Sequence, residues 1–307
     1  MGRVTRVAIA FVVAGIVASA CGGTGSGGTA SPAAKPTVRI GSTDFSEQLI
    51  LGELYAQILE ANGYTVERKF NLGKREIVFP ALTSGQIDME ADYLATLLAF
   101  VDKSATGSTD PKETSKKLQD ALRSKDVTVL DYAPAVDQNG FVVTKATADK
   151  YKLAKISDLA PVAKDLVLGG PPECPNRPFC ALGLKNTYGI TFKDFKPLDT
   201  GGALTVKALE GNQIDVALLF TSDSTIAVKG FVLLDDDKHL QLSDNVAPVV
   251  RNDLLAKGGD DFKKLINSIA PKLTTAELTA LNKQADIDKK DPKDIAKDWL
   301  KKQGLIK

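Results

Sequence analysis

From Val38 onward the apolar residues fall into short runs of strand length and longer stretches with helical spacing, separated by polar turns. Val38-Arg39-Ile40-Gly41 predicts a strand. Ser46 then stands as the N-cap of a helix whose apolar residues Leu49, Ile50, Leu54, Ile58 and Leu59 recur at helical spacing, and Asn62-Gly63 ends it. Residues 65–72 predict the next strand and residues 73–83 the next helix. With the apolar run that follows, this strand-helix alternation predicts a parallel sheet with right-handed crossovers.

Residues 97–125 read as helical and amphipathic, broken near Gly107 to Pro111. Strands are expected at 127–132 and 141–144, with residues 133–140 crossing from one lobe to another. A second α/β set follows: a short helix at Ile156–Leu159, a strand at 166–168, helices at 182–188 and Ala203–Glu210, and a strand at 231–234. Val246–Arg251 reads as a return to the first lobe, with helices after it at 254–256, 261–270, 275–285 and 292–303. A lobe that starts, is interrupted and resumes implies two crossings, which make a hinge.

One stretch occurs twice. Residues 81–93 read A-L-T-S-G-Q-I-D-M-E-A-D-Y and residues 208–220 read A-L-E-G-N-Q-I-D-V-A-L-L-F. Each copy passes from a helix end through a Gly- or Asn-bearing turn into a strand, and each closes on an aromatic, Tyr93 or Phe220. Any two α/β units share such a turn-and-strand pattern; the sharper reading is two similar lobes, each supplying an aromatic wall to one cleft. In an open α/β sheet the carboxyl ends of the strands face the ligand crevice.

Composition narrows the chemistry. The chain has 307 residues, 43% hydrophobic and 25% charged, enough for two domains. Its formal charge of +1 falls to −1 without Arg3 and Arg6, so no nucleic-acid partner is expected. The single histidine, His239, sits after the acidic run Asp235 to Asp237 and argues against histidine-based triads and metal sites. No nucleophile-base pair or phosphate loop is present, Gly169-Gly170-Pro171-Pro172 lacking the lysine and hydroxyl of one; neither catalysis, metal nor cofactor is expected.

Residues 1–20 carry two arginines and an apolar run too short to span a bilayer, the pattern of a signal peptide. The segment Val17-Ala18-Ser19-Ala20-Cys21 resembles a bacterial lipobox, with Cys21 lipidated, and residues 21–37 read as a flexible tether. That organisation places the protein outside the cell, anchored to the outer face of the cytoplasmic membrane. Cys174 and Cys180 lie six residues apart in a Pro-rich loop, a spacing that permits a small disulfide; a metal site is the rival, poor with two thiols and no nearby histidine.

The opening Gly41-Ser42-Thr43-Asp44-Phe45-Ser46-Glu47-Gln48, the segment Ile87-Asp88 to Thr96, Phe220-Thr221-Ser222-Asp223 and Ala247-Pro248-Val249-Val250 together resemble osmoprotectant-binding proteins of ABC importers, the glycine betaine, choline and carnitine (ProX-like) group. The resemblance covers nearly all of residues 38–306. It implies an α/β, two-lobe periplasmic-binding-protein-like fold with a ligand cleft between lobes joined by a two-segment hinge. Its lobes would be residues 38–136 plus 240–307 and residues 137–239. It implies a small-molecule solute, handed to an ABC permease and its ATPase, and a cage of aromatic rings around a quaternary ammonium.

Carried over by position, Tyr93 matches the family's first pocket tyrosine and Thr96 its nearby hydroxyl. Arg177 falls where the family often has an arginine for the ligand's carboxylate, and Thr43, next to Asp44, replaces a lysine. The remaining tyrosine positions fall at Asn139, Phe220 and Asp244, and Asp223 lies within reach of the pocket. Polar Asn139 and Asp244 in place of rings predict weak glycine betaine binding and a better fit for a hydroxylated ligand, polyol-, sugar- or polyphenol-like, because methyl groups would leave them unpaired. An exported enzyme on a related two-lobe fold and a purely adhesive lipoprotein are the alternatives of other classes.

Overall fold

The computed structural model describes residues 35–307. The segments read as signal peptide and lipidated Cys21, and most of the tether, lie outside the described residues. Two five-stranded sheets form the framework. The first holds β1 (Val38–Gly41), β2 (Val66–Lys69), β3 (Met89–Tyr93), β4 (Val127–Val129) and β10 (Val246–Arg251), in the order β2-β1-β3-β10-β4. The second holds β5 (Asn139–Val143), β6 (Val167–Gly170), β7 (Asp194–Pro197), β8 (Val216–Phe220) and β9 (Val232–Leu233), in the order β7-β6-β8-β5-β9. The two orders are the same pattern built twice.

The expected parallel sheet holds only for β1 with β2 and β3, and for β6 with β7 and β8. β10 runs antiparallel to β3 and β4, and β5 antiparallel to β8 and β9. The reason is connection. A strand delivered by a crossover helix comes out parallel, whereas β5 and β10 arrive from the opposite sheet and therefore start at the cleft. Asn139 pairs with Phe220, and Val246 with Tyr93, so each incoming strand begins beside the last residue of its neighbour. The two crossings run side by side: Val136 bridges Asn245, and the Asp137 N–H donates to the Asp244 carbonyl at 3.0 Å.

The repeat has a structural explanation. Asp88 takes the backbone N–H of Arg39 at 2.8 Å, and Asp215 takes that of Val167 at 2.9 Å, so each carboxylate satisfies the start of the neighbouring parallel strand. Ile87 fills the space over Gly41, where an added Cβ would meet its Cδ1 at 2.3 Å, and Ile214 does the same over Gly169 at 2.5 Å. Gln-Ile-Asp therefore recurs because both lobes tie helix, turn and strand together in one way.

The sheets are covered on both faces. Along β10, Val246 and Val250 enter one core and Ala247 and Val249 another; along β8, Val216 and Leu218 alternate with Ala217 and Leu219. Several boundaries differ from expectation. Phe45, not Ser46, occupies the N-cap of the helix Ser46–Ala61, and the Ser46 hydroxyl donates to Asp286 Oδ1 at 2.7 Å, a partner distant in sequence. The helix Lys145–Tyr151 and β7 were not anticipated; β7 is an edge strand of four residues ending in proline, with little apolar signal. Residues 252–267 hold two helical stretches parted at Gly259, as the separate helices expected at 254–256 and 261–270 imply, and its φ of 65° is one that glycine adopts without strain.

Candidate functional site

The carboxyl ends of β3 and β8 bring Tyr93 and Phe220 to a cavity of about 470 Å³. Thr43, Asp44, Thr96, Asn139, Arg177 and Asp244 also line it. Asp223 does not: it faces a neighbouring hollow of about 600 Å³ shared with Asp286 and Asn282, and its carboxylate accepts the Thr225 N–H at 2.7 Å.

Tyr93 and Phe220 share the cavity, but the ring stacked on Phe220 is that of Phe45, with centroids 5.2 Å apart and planes 22° apart. Phe45 immediately precedes the first helix, so this stack joins the two sheets' domains face to face. Phe100 and Phe179 add two further rings to the lining. These three phenylalanines were missed in the sequence; the position of Phe45 just past the carboxyl end of β1 was the available signal.

The expected consequence of Asn139 and Asp244 is corrected by their partners. Asn139 Nδ2 donates to the Phe179 carbonyl at 3.0 Å, and Asp244 Oδ1 accepts the Thr96 N–H at 2.8 Å. Both are satisfied by the protein, so methyl groups beside them leave nothing orphaned on that account. Burial pushes the Asp244 carboxyl up to about 7, against the Thr96 bond and the charge of Arg75, which lower it. Arg75 is itself bound to Asp92, with Nε to Oδ2 at 2.9 Å, and donates to Thr96 Oγ1 at 2.8 Å.

A chain of buried polar groups crosses the cleft. Gln48 Nε2 donates to the Tyr93 hydroxyl at 3.1 Å, and that hydroxyl donates to Glu47 Oε1 at 2.5 Å. Glu47 Oε2 accepts from Asn282 Nδ2 at 2.5 Å and lies 2.8 Å from Ser222 Oγ, which lies 2.6 Å from Asp137 Oδ1. A hydroxyl has one hydrogen. Ser222 therefore cannot donate to both acids, and the arrangement is best satisfied when the Glu47–Asp137 pair holds one proton. Burial raises both carboxyls, in agreement with that count.

Arg177 is engaged by the protein. Its NH2 group donates to Glu76 Oε1 at 2.7 Å and to Oε2 at 2.9 Å. Lys74 pairs with Glu173 alongside. Both pairs join the start of the helix Arg75–Thr83 to the loop closed by the Cys174–Cys180 disulfide, whose Cα atoms are 5.2 Å apart. Glu173→Lys is expected to weaken ligand retention by about 1–2 kcal/mol, since a half-buried attraction becomes a repulsion. The exchange Lys74→Glu with Glu173→Lys should recover most of it, as read from ligand dissociation rates.

Comparison with known proteins agrees with this geometry. A family model described as the substrate binding domain of ABC-type glycine betaine transport system matches residues 36–302. The chain is 28% identical to the carnitine transport binding protein of Listeria monocytogenes, over 97% of this chain and 96% of that protein. It is 28% identical to a glycine-betaine-binding protein of Pseudomonas aeruginosa, over 88% of this chain and 89% of that one. A crystal structure described as a glycine betaine/carnitine/choline ABC transporter superposes with a TM-score of 0.70 at 31% identity, covering 88% of this chain and 99% of that one.

Proposed function

The chain belongs to the family of substrate-binding domains of ABC-type glycine betaine transport systems, and on that premise we propose that it captures a small organic cation or zwitterion in the cavity between its sheets and presents it to a membrane permease driven by an ATPase. The observation that carries this reading is the lining: Phe45, Phe220 and Tyr93 offer aromatic surface beside the buried carboxyls of Asp137 and Asp244. Ring faces attract a desolvated cation by roughly 0.5–2 kcal/mol each. Of the cations in the lining, Arg75, Lys74 and Arg177 are matched to Asp92, Glu173 and Glu76 and Lys103 forms no ion pair among the described residues, while Asp137 has no cation partner.

In this reading Tyr93, Phe220, Thr43, Asp44, Thr96, Asn139, Arg177 and Asp244 line the binding site. The lobes are residues 38–136 plus 240–307 and residues 137–239, and they close about the paired crossings. The protein is secreted by the signal peptide over 1–20 and held at the membrane by lipid on Cys21, and the solute is released unchanged. A Cys21→Ser variant is the check on the anchor, through loss of metabolic lipid labelling.

Calorimetry with glycine betaine, carnitine and choline tests the main assignment. At least one is expected to bind, and Phe220→Ala is expected to weaken it by about 1–2 kcal/mol, roughly tenfold in Kd. Absence of heat from all three, together with no rise in melting midpoint, would count against the assignment.

A further inference from the structure

Four cations and six acids line the cavity, and their pairing leaves one exposed charge of each sign. Lys74, Arg75 and Arg177 are matched to Glu173, Asp92 and Glu76. Asp137 and Asp244 are buried. Asp44 and Lys103 are both exposed, and neither forms an ion pair among the described residues.

The backbone fixes where each of the two stands. The helix Leu94–Val101 starts directly after Tyr93, and its Thr96, Ala99 and Phe100 line the cavity at helical spacing; Lys103, two residues past its end, continues the stripe. The turn that carries Lys103 is tied down. The Asp102 N–H donates to the Leu98 carbonyl at 2.9 Å, and Asp102 Oδ1 accepts from the Ser104 N–H at 2.9 Å and the Ser104 hydroxyl at 2.6 Å. The acid next to Lys103 in the chain is thus engaged within the turn. Asp44 adjoins Phe45, whose ring stacks on Phe220, and it also lines the neighbouring hollow, which Lys103 does not. The two unmatched charges therefore occupy different parts of the lining.

A solute with a trimethylammonium and a carboxylate matches both. The ring faces of Phe45 and Phe220, with Asp44 beside them, attract the ammonium. Arg177 is a poor partner for the carboxylate, because its NH2 group already holds both oxygens of Glu76. We propose that Lys103 is a specificity-determining residue that receives the solute's carboxylate, so that the cavity prefers zwitterionic trimethylammonium solutes to choline, which shares the ammonium and lacks the acid. This rests on the reading of the cavity as an ammonium site and narrows its solute from cations in general to zwitterions. Lys103 is reached by water, so its effect is that of an exposed ion pair, severalfold in affinity.

Calorimetry with the full chain gives Kd for glycine betaine, carnitine and choline in the wild type and in Lys103→Met, Lys103→Arg and Lys103→Glu. The quantity compared is the Kd of choline divided by that of each zwitterion, in which a general loss of fold or of the ring site cancels. The wild-type ratio is expected to exceed unity for at least one zwitterion. Lys103→Met should lower that ratio by about threefold to fivefold and Lys103→Glu by about tenfold, while Lys103→Arg, which keeps the charge, should hold it within about twofold. A wild-type preference for choline over both zwitterions overturns the proposal, as does a ratio that neither Lys103→Met nor Lys103→Glu lowers; the ammonium site stands in either case. If none of the three solutes binds, both readings fall.

Discussion

Replacing Arg75 with alanine is expected to cost about 3–5 kcal/mol of folding stability, the effect of stripping one partner from a buried ion pair. Arg75 and Asp92 side chains are 13% and 7% exposed, and the guanidinium also bonds Thr96 Oγ1. The alanine variant would leave Asp92 charged beside Glu90 and Asp244, whose carboxyls are each already raised in part by the Asp92 charge. Asp92→Asn placed on top of Arg75→Ala should return part of the loss, because it removes the uncompensated charge and not the packing. Urea unfolding of the wild type, both single variants and the double variant yields the coupling. A loss under about 1 kcal/mol in Arg75→Ala would mean that water reaches this pair.

Raising the pH from 5 to 8 is expected to destabilise the protein by several kcal/mol, with Asp244 alone accounting for up to about 3 kcal/mol. The sign follows from burial. Asp244 titrates near 7 in the fold, well above an ordinary aspartate, so between the two values the folded state holds a proton that the unfolded chain has released. Stability from this group is complete below the ordinary value and is lost as pH climbs through about 7. Glu47, Asp137 and Glu90 are raised by burial as well and act in the same direction. Carboxyls held low, such as Asp253 beside Arg251, act below the ordinary range and leave this window untouched. Asp244→Asn keeps an acceptor for the Thr96 N–H and should flatten the decline. Denaturant midpoints at pH 5, 6.5 and 8 measure it; a midpoint that rises over that range would contradict the burial argument.

Two of these acids are also joined across the cleft. The pair Glu47 and Asp137 lies on the chain of bonds that spans the cleft. Ser222 approaches both acids from the second sheet's side. Gly183 packs so tightly under the cysteine loop that a Cβ there would lie 1.9 Å from the Pro178 carbonyl oxygen.

Much of the fold was legible because it is local. The Gln-Ile-Asp turn recurs where Asp88 and Asp215 each tie down a neighbouring strand, and glycines at positions 41 and 169 admit Ile87 and Ile214. These relations repeat along the chain, so a reader of the sequence meets them twice. The aromatic strand ends Tyr93 and Phe220 followed from the same repeat and do reach one cavity.

What the sequence could not disclose is which groups satisfy one another across the cleft. Asn139 and Asp244 looked like unpaired polar groups, yet Phe179 and Thr96 complete them, and Arg177 looked available, yet Glu76 holds it. Glu47 depends on Ser222 and Asn282, and Phe220 on Phe45, all far apart along the chain. Strand direction in β5 and β10 was likewise set by their arrival from the opposite sheet. The amino-acid sequence by itself determined the repeated turn and strand, its aromatic ends and the family, because backbone hydrogen bonding and side-chain periodicity act over a few residues. Only the tertiary structure decided which polar groups pair across the cleft, because a buried polar group's role is defined by the partner that reaches it through space.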